Sequence, residues 1–177
     1  ISGRPLDEAN PILDTQLDVG NIRARIAIIQ NPLSPDGLSY AIRRHRESPL
    51  TLPLFVKNRM LNPFAAGLMS FLIDGSRTLL IAGTRSSGKT SLLGSLLLEI
   101  IPKYRIIVIE DSLELPVESL KKLNYDILRM KVRSALLKTT TEVSADDGIR
   151  TSLRLGDSSL IVGEVRSAEA KALYEAM

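Results

Sequence analysis

The clearest chemistry in the chain lies in eight consecutive residues, Gly83-Thr84-Arg85-Ser86-Ser87-Gly88-Lys89-Thr90. They fit the spacing G-x-x-x-x-G-K-[ST], a loop whose backbone N–H groups converge on nucleotide phosphates. Glycines let such a loop curl, and the N-terminus of the following helix adds positive potential. Lys89 is placed to reach the β- and γ-phosphates as a compact charge. Thr90, with Ser91 beside it, is placed to hold Mg²⁺ through its hydroxyl. The apolar run from Thr78 to Ala82 predicts a strand leading in, and a Leu-rich helix from about Gly88 to Ile101 leads out. The competing reading is a Gly/Ser-rich turn before a helix. With strand and helix in place, the stretch predicts binding of a nucleoside triphosphate.

Such a loop needs an acid to manage the metal and a group to activate water. In a parallel α/β sheet both belong at the carboxyl ends of strands. Leu160-Ile161-Val162-Gly163-Glu164 reads as an apolar strand ending in a carboxylate. Ile106-Ile107-Val108-Ile109-Glu110-Asp111-Ser112-Leu113-Glu114 reads as a second, ending in several acids. A carboxylate there could polarise a water aimed at the γ-phosphorus. Taken singly, each acid could equally be a solvated residue at a strand exit.

The elements that must position these groups fall into two regions. In residues 1–46, Pro5, Pro11, Pro32 and Pro35 punctuate short β-like segments. One strand is predicted from Ile12 to Leu17, a hairpin turn at Gly20-Asn21, and a second strand in which Ile22, Ala24, Ile26 and Ile28 alternate with Arg23, Arg25 and Ala27. A third runs through Leu38, Tyr40 and Ile42 into Arg43-Arg44-His45-Arg46. This is the pattern of the β-rich end of an N-terminal α+β domain. Residues 47–53, with Pro49 and Pro53, read as a linker. Residues 54–177 read as an α/β domain. Helices are predicted over Leu54–Leu61 and Pro63–Ile73, strands over Arg105–Ile109 and Leu160–Val162 as continuous apolar runs suited to a buried parallel sheet, and a further strand over Tyr125–Val132. Lys138 to Val143 reads as a loop. Ser144 with Asp147 predicts a capped helix to about Leu155, and Ser167 caps a last one.

Composition narrows the class. The chain has no cysteine, which excludes disulfides, zinc-thiolate sites and thiol catalysis. A net charge of +3 and 4% aromatic content give little support for nucleic-acid binding. No apolar stretch approaches a membrane span, and no signal peptide is visible. The chain starts at Ile1 and stops at Met177 within a helical pattern, so it reads as a fragment.

The glycine loop, Ile109-Glu110-Asp111-Ser112-Leu113-Glu114 and Val162-Gly163-Glu164-Val165-Arg166 resemble, in that order, the Walker A, Asp-box and Walker B segments of the type II/type IV secretion ATPases. That family includes motors of type II secretion, type IV pili and archaeal flagella, and conjugation ATPases. Ser2-Gly3-Arg4-Pro5-Leu6-Asp7-Glu8, and Ile42-Arg43-Arg44 followed by Pro49-Leu50-Thr51, resemble archaeal members. The resemblance covers essentially the whole chain.

It implies a RecA-like P-loop ATPase core behind an N-terminal domain, a homo-hexameric ring, ATP and Mg²⁺ as ligands, and an inner-membrane platform protein as partner. It places the protein in the cytoplasm, peripheral to the membrane face, with no direct nucleic-acid contact expected. By the resemblance Glu114 activates water, Glu164 acts at the Mg²⁺ shell, and Asp111 orients the Asp box or assists the metal. Arg23 or Arg25, and Arg43, match the arginines that sense the γ-phosphate; a solvated strand face is the alternative for each.

The chain departs from the family in carrying Gly156-Asp157-Ser158-Ser159 where Pro-Asp is usual, and Arg85 and Ser87 at variable loop positions. It also ends before the family's His box, so a polypeptide ending at Met177 is expected to bind ATP but hydrolyse it poorly. The other readings are a GTPase or small-molecule kinase, a nucleotide-gated assembly module without efficient hydrolysis, and a nucleic-acid-translocating ATPase of conjugation type. No Asn-Lys-x-Asp segment supports the first.

Overall fold

The computed structural model describes residues 5–20, 22–46, 48–132, 143–165 and 169–176. The chain divides into two compact units, Ile1–Glu47 and Ser48–Met177.

In the first unit, β1 (Ile12–Val19), β2 (Ile22–Ile29) and β3 (Ser39–Arg44) form an antiparallel sheet in that order. The Ile/Arg alternation of β2 sorts its side chains by face, because successive residues of a strand point to opposite sides. Register opposes Gln16 and Arg25, Asp18 and Arg23, and Arg25 and Arg43, so one face of the sheet is charged. Val19 pairs with Ile22, leaving the two-residue Gly20–Asn21 connection. Gly20 has the left-handed φ of 58° that such a turn requires; Asn21 lies outside the described residues.

The second unit is built on β4 (Ile106–Glu110), flanked by β5 (Ile127–Lys131) and β6 (Ser159–Val162), both parallel to it. Every residue of β4 is buried, which is why its sequence is continuously apolar until the terminal acid. Its side chains alternate between two cores. Ile106 and Val108 pack with Leu97, Leu115, Val117 and Leu120. Ile107 and Ile109 pack with Val132, Ile149 and Ala172. The first core is closed by α3 (Lys89–Leu97) and α4 (Val117–Lys122), the second by α5 (Ala145–Ser152) and α6 (Glu169–Ala176). A third cluster joins α1 (Leu52–Lys57), α2 (Pro63–Asp74) and α3 through Leu52, Ala66 and Leu96.

Caps set several helix starts. Thr51 and Asn62 accept N–H bonds from Leu54 and Phe64, and each helix begins with a proline in its first two positions. Ser144 accepts the Asp147 N–H at 3.1 Å and donates to the Asp147 carboxylate at 2.6 Å, the expected cap of α5.

Four expectations are corrected. The helix predicted over Leu54–Leu61 is α1, which starts at Leu52, within the predicted linker, and stops at Lys57. Residues 78–82 belong to no ladder among the described residues, and Leu80 is 83% exposed. An apolar run becomes a strand only where a neighbour supplies hydrogen-bond partners, and the described sheet runs β5-β4-β6. The helix after the glycine loop stops at Leu97, and α5 stops at Ser152, both short of their predicted ends. Ser2 to Arg4, residues 138–142, Arg166 and Ser167 lie outside the described residues.

Candidate nucleotide site

The loop 83–90 enters α3 through two left-handed residues, Ser86 with φ 62° and Gly88 with φ 88°. Gly88 is the N-cap of α3 and has no side-chain cap bond, so the first N–H groups of the helix are directed into the loop. A Cβ on Gly83 would lie 2.7 Å from Ser87 Oγ, so the two ends of the loop stand in close contact and a side chain at Gly83 would displace the serine hydroxyl. Lys89 Nζ donates to the carbonyls of Gly83 (3.0 Å) and Thr84 (2.7 Å). Its ammonium is therefore held against the loop. Thr84, Arg85, Ser86 and Ser87 are exposed, and Thr90 and Ser91 stand in the first turn of α3. Left-handed turns, helix N-terminus and one converging cation suit a phosphate chain.

The acids occupy two adjacent strand exits. Gly163, just past β6, donates its N–H to the Ile109 carbonyl at 2.8 Å, and a Cβ on Gly163 would lie 3.2 Å from Glu110 Cγ. The missing side chain lets the two exits close up, which sets Glu164 beside the end of β4. Glu164 is exposed, while Asp111 and Glu114 are half-buried.

Glu110 behaves differently from its neighbours. It is 3% exposed, and its Oε1 accepts the N–H groups of both Glu114 and Leu115 at 2.8 Å. Burial pushes its pKa above the ordinary value of 4.5, against the lowering influence of those two N–H groups and of Arg129. On β5, Arg129 Nη2 donates to the Leu115 carbonyl at 2.9 Å, its Nη1 stands 3.3 Å from Glu118 Oε1, and its Nε stands 3.5 Å from Glu110 Oε2. The segment after β4 also packs on α3: a Cβ on Gly94 would lie 3.3 Å from Pro116 Cδ and 3.8 Å from Leu115 Cδ2. Thus the helix that starts at the glycine loop touches the segment that carries Glu114.

The sequence reading singled out none of Glu110, Arg129 or Gly94 for a role. The signal for Arg129 is its place two residues after Ile127 in β5, which puts a guanidinium on the same, core-facing side where it needs partners.

In the first unit, Arg25 makes a bidentate ion pair with Asp14, Nε to Oδ1 at 3.0 Å and Nη2 to Oδ2 at 2.6 Å. Asp14 is nearly buried, so Arg25 has a structural partner within its own sheet. Arg23 and Arg43 are exposed on the same face.

The fold defines the class first: an α/β protein with a parallel sheet, acids at its strand exits and a glycine loop at a helix N-terminus. The chain belongs to the type II/IV secretion system protein family, a family of secretion ATPases, whose model matches residues 9–177. It is 29% identical over 179 residues to a Mycobacterium tuberculosis protein named for conjugal transfer, across 99% of this chain and 49% of that protein. It is 29% identical over 115 residues to the type IV secretion system protein PtlH of Bordetella pertussis, across 63% of this chain and 33% of PtlH. Among solved structures, the VirB11 ATPase of the Brucella suis type IV secretion system, in complex with sulphate, matches with a TM-score of 0.48 and 21% identity, across 98% of this chain and 57% of that one. The chain thus spans about half the length of the mycobacterial relative. Among the described residues no helix is long and apolar enough to cross a membrane.

Proposed function

We propose that this chain is the ATP-binding part of a secretion-system motor, with residues 1–46 as the end of an N-terminal domain, 47–53 as a linker and 54–177 as a RecA-like ATPase core. The observation that carries the reading is the loop before α3, with its left-handed Ser86 and Gly88 and the Lys89 ammonium drawn over it. When bound, ATP with Mg²⁺ supplies the γ-phosphoryl group whose hydrolysis drives the motor. The residues of the chain bind and orient it. Lys89 exchanges its loop carbonyls for phosphate oxygens, and the N–H groups of the loop and of α3 take the remaining oxygens. Thr90 and Glu164 hold the metal, with Asp111 supporting the acidic segment. Glu114 accepts a proton from the attacking water. Arg23 and Arg43 are the candidates for sensing charge on the γ-phosphate. Arg25 is the weaker candidate because it is already engaged in a bidentate ion pair with the nearly buried Asp14.

In this reading the motor is a homo-hexamer at the cytoplasmic face of a membrane, working against a membrane platform protein. The names of the relatives favour type IV secretion or conjugation as the setting. A conjugation-type translocation ATPase is the second reading, favoured by the mycobacterial relative's name. Added DNA should then stimulate turnover.

The test is Mg-ATP affinity and turnover in wild type and Lys89→Ala. Loss of the charged hydrogen bonds should weaken binding by about 1.5–3 kcal/mol, roughly ten- to a hundredfold. Wild-type affinity in Lys89→Ala would remove the assignment of the loop.

A further inference from the structure

Leu115, the residue after Glu114, is held at both of its backbone polar groups: its N–H donates to Glu110 and its carbonyl accepts from Arg129. Arg129 reaches three points along the segment, Glu110, Leu115 and Glu118, from the neighbouring strand β5. Its side chain is only 12% exposed. A buried guanidinium needs such a set of acceptors, but nothing in the packing of β5 requires that they include a main-chain carbonyl beside Glu114. Leu115 in turn abuts Gly94 of α3. The clamp therefore ties the segment carrying Glu114 to both β5 and the helix that starts at the glycine loop.

We infer that Arg129 is a positioning residue for turnover: its guanidinium fixes the Leu115 peptide, and through it holds Glu114 in register with the loop helix. The inference rests on the reading of Glu114 as the water-activating acid. Arg129 acts in this reading through Leu115 and not on the nucleotide itself. A geometric error of about 1 Å at a reacting group can cost about a hundredfold in rate while leaving binding intact, and this is the signature that separates positioning from binding.

The experiment measures kcat, KM and nucleotide affinity for Mg-ATP, together with thermal unfolding, in a set of variants. Arg129→Ala should lower kcat tenfold or more with nucleotide affinity within about twofold of wild type. Arg129→Lys keeps one charge but loses the fork, so it should recover only part of the rate. Because Arg129→Ala leaves the Glu110 carboxylate buried beside no cation and can unfold, the double variant Glu110→Gln with Arg129→Met is made alongside. Removing both members of a buried ion pair is often neutral for stability. That variant should unfold near the wild-type temperature and still lose kcat. Glu114→Gln, alone and combined with Arg129→Ala, separates the two layers of the argument. If Glu114→Gln lowers turnover to a measurable residual rate and the combined variant is no slower than Glu114→Gln alone, positioning through Glu114 holds. If Glu114→Gln abolishes turnover while the folded double variant keeps wild-type kcat, Arg129 has only a structural role and the inference is overturned. If Glu114→Gln keeps wild-type turnover, the reading of Glu114 fails, and the inference falls with it.

Discussion

At the residue scale, the acid that ends β4 and the acid that the motif singles out have opposite environments. Glu114 is half-buried, whereas Glu110 is enclosed and donated to by two backbone N–H groups. Burial raises the Glu110 pKa, so the folded state holds this proton more tightly than the unfolded chain does. Between the ordinary value of 4.5 and the folded value the native state binds more protons, and stability contributed by this group falls as pH rises. Glu110→Gln removes that titration while keeping an oxygen for the two N–H groups. Its melting temperature should therefore improve relative to wild type as pH is raised from about 4 to about 7. Thermal melts of the two proteins across that range check it. A difference that stays constant, or moves the other way, would contradict the burial argument.

At the element scale, the contact between α3 and the segment after β4 depends on Gly94. Glycine inside a helix costs roughly 0.5–1 kcal/mol relative to alanine, so its presence in α3 calls for a packing reason. The reason is Pro116, whose Cδ would meet an added Cβ at 3.3 Å. Gly94→Ala should be close to neutral, its helix propensity offsetting a tight contact. Gly94→Val adds branched bulk against a proline ring that cannot swing away, and should destabilise by about 1–3 kcal/mol. Urea unfolding of the two variants distinguishes this from a simple propensity effect, which would make both more stable. The same contact explains why α3 starts at the glycine loop yet bears on the acidic segment. The helix between β4 and β5, α4, is only six residues long, and its buried positions Val117 and Leu120 are set by packing on those strands.

At the scale of the whole molecule, the two units carry different candidate parts, the arginines in one and the loop and acids in the other. In the proposed ring, active sites are completed between subunits. Specific ATPase activity should then climb with protein concentration over the range in which the protein self-associates. Turnover measured beside sedimentation provides the check. Activity that stays flat while mass increases would place the whole site within one subunit; tight nucleotide binding with no turnover at any concentration would favour the nucleotide-gated reading.

Much of this was legible in the residues themselves. The strands β1, β2, β4 and β6 follow from period-two alternation or continuous apolar runs, and the cap at Ser144 follows from a short polar side chain placed before a helical pattern. The glycine loop is local too, because the conformations it requires belong to individual residues. Other features depend on partners distant in sequence. Residues 78–82 have the composition of a strand, but pairing needs a neighbour's carbonyls, and local pattern cannot say whether one is present. Arg25 reads as one of several exposed cations until β1 brings Asp14 to it. Glu110 and Asp111 are adjacent acids in the chain. Only the closing of β6 and Gly163 over the end of β4, with Arg129 arriving from β5, makes Glu110 a buried anchor while Asp111 stays half-exposed. Desolvation and ion pairing act through space at a few ångströms, so the identity of each acid was written in the sequence, and the environment that separates them was decided by the tertiary structure.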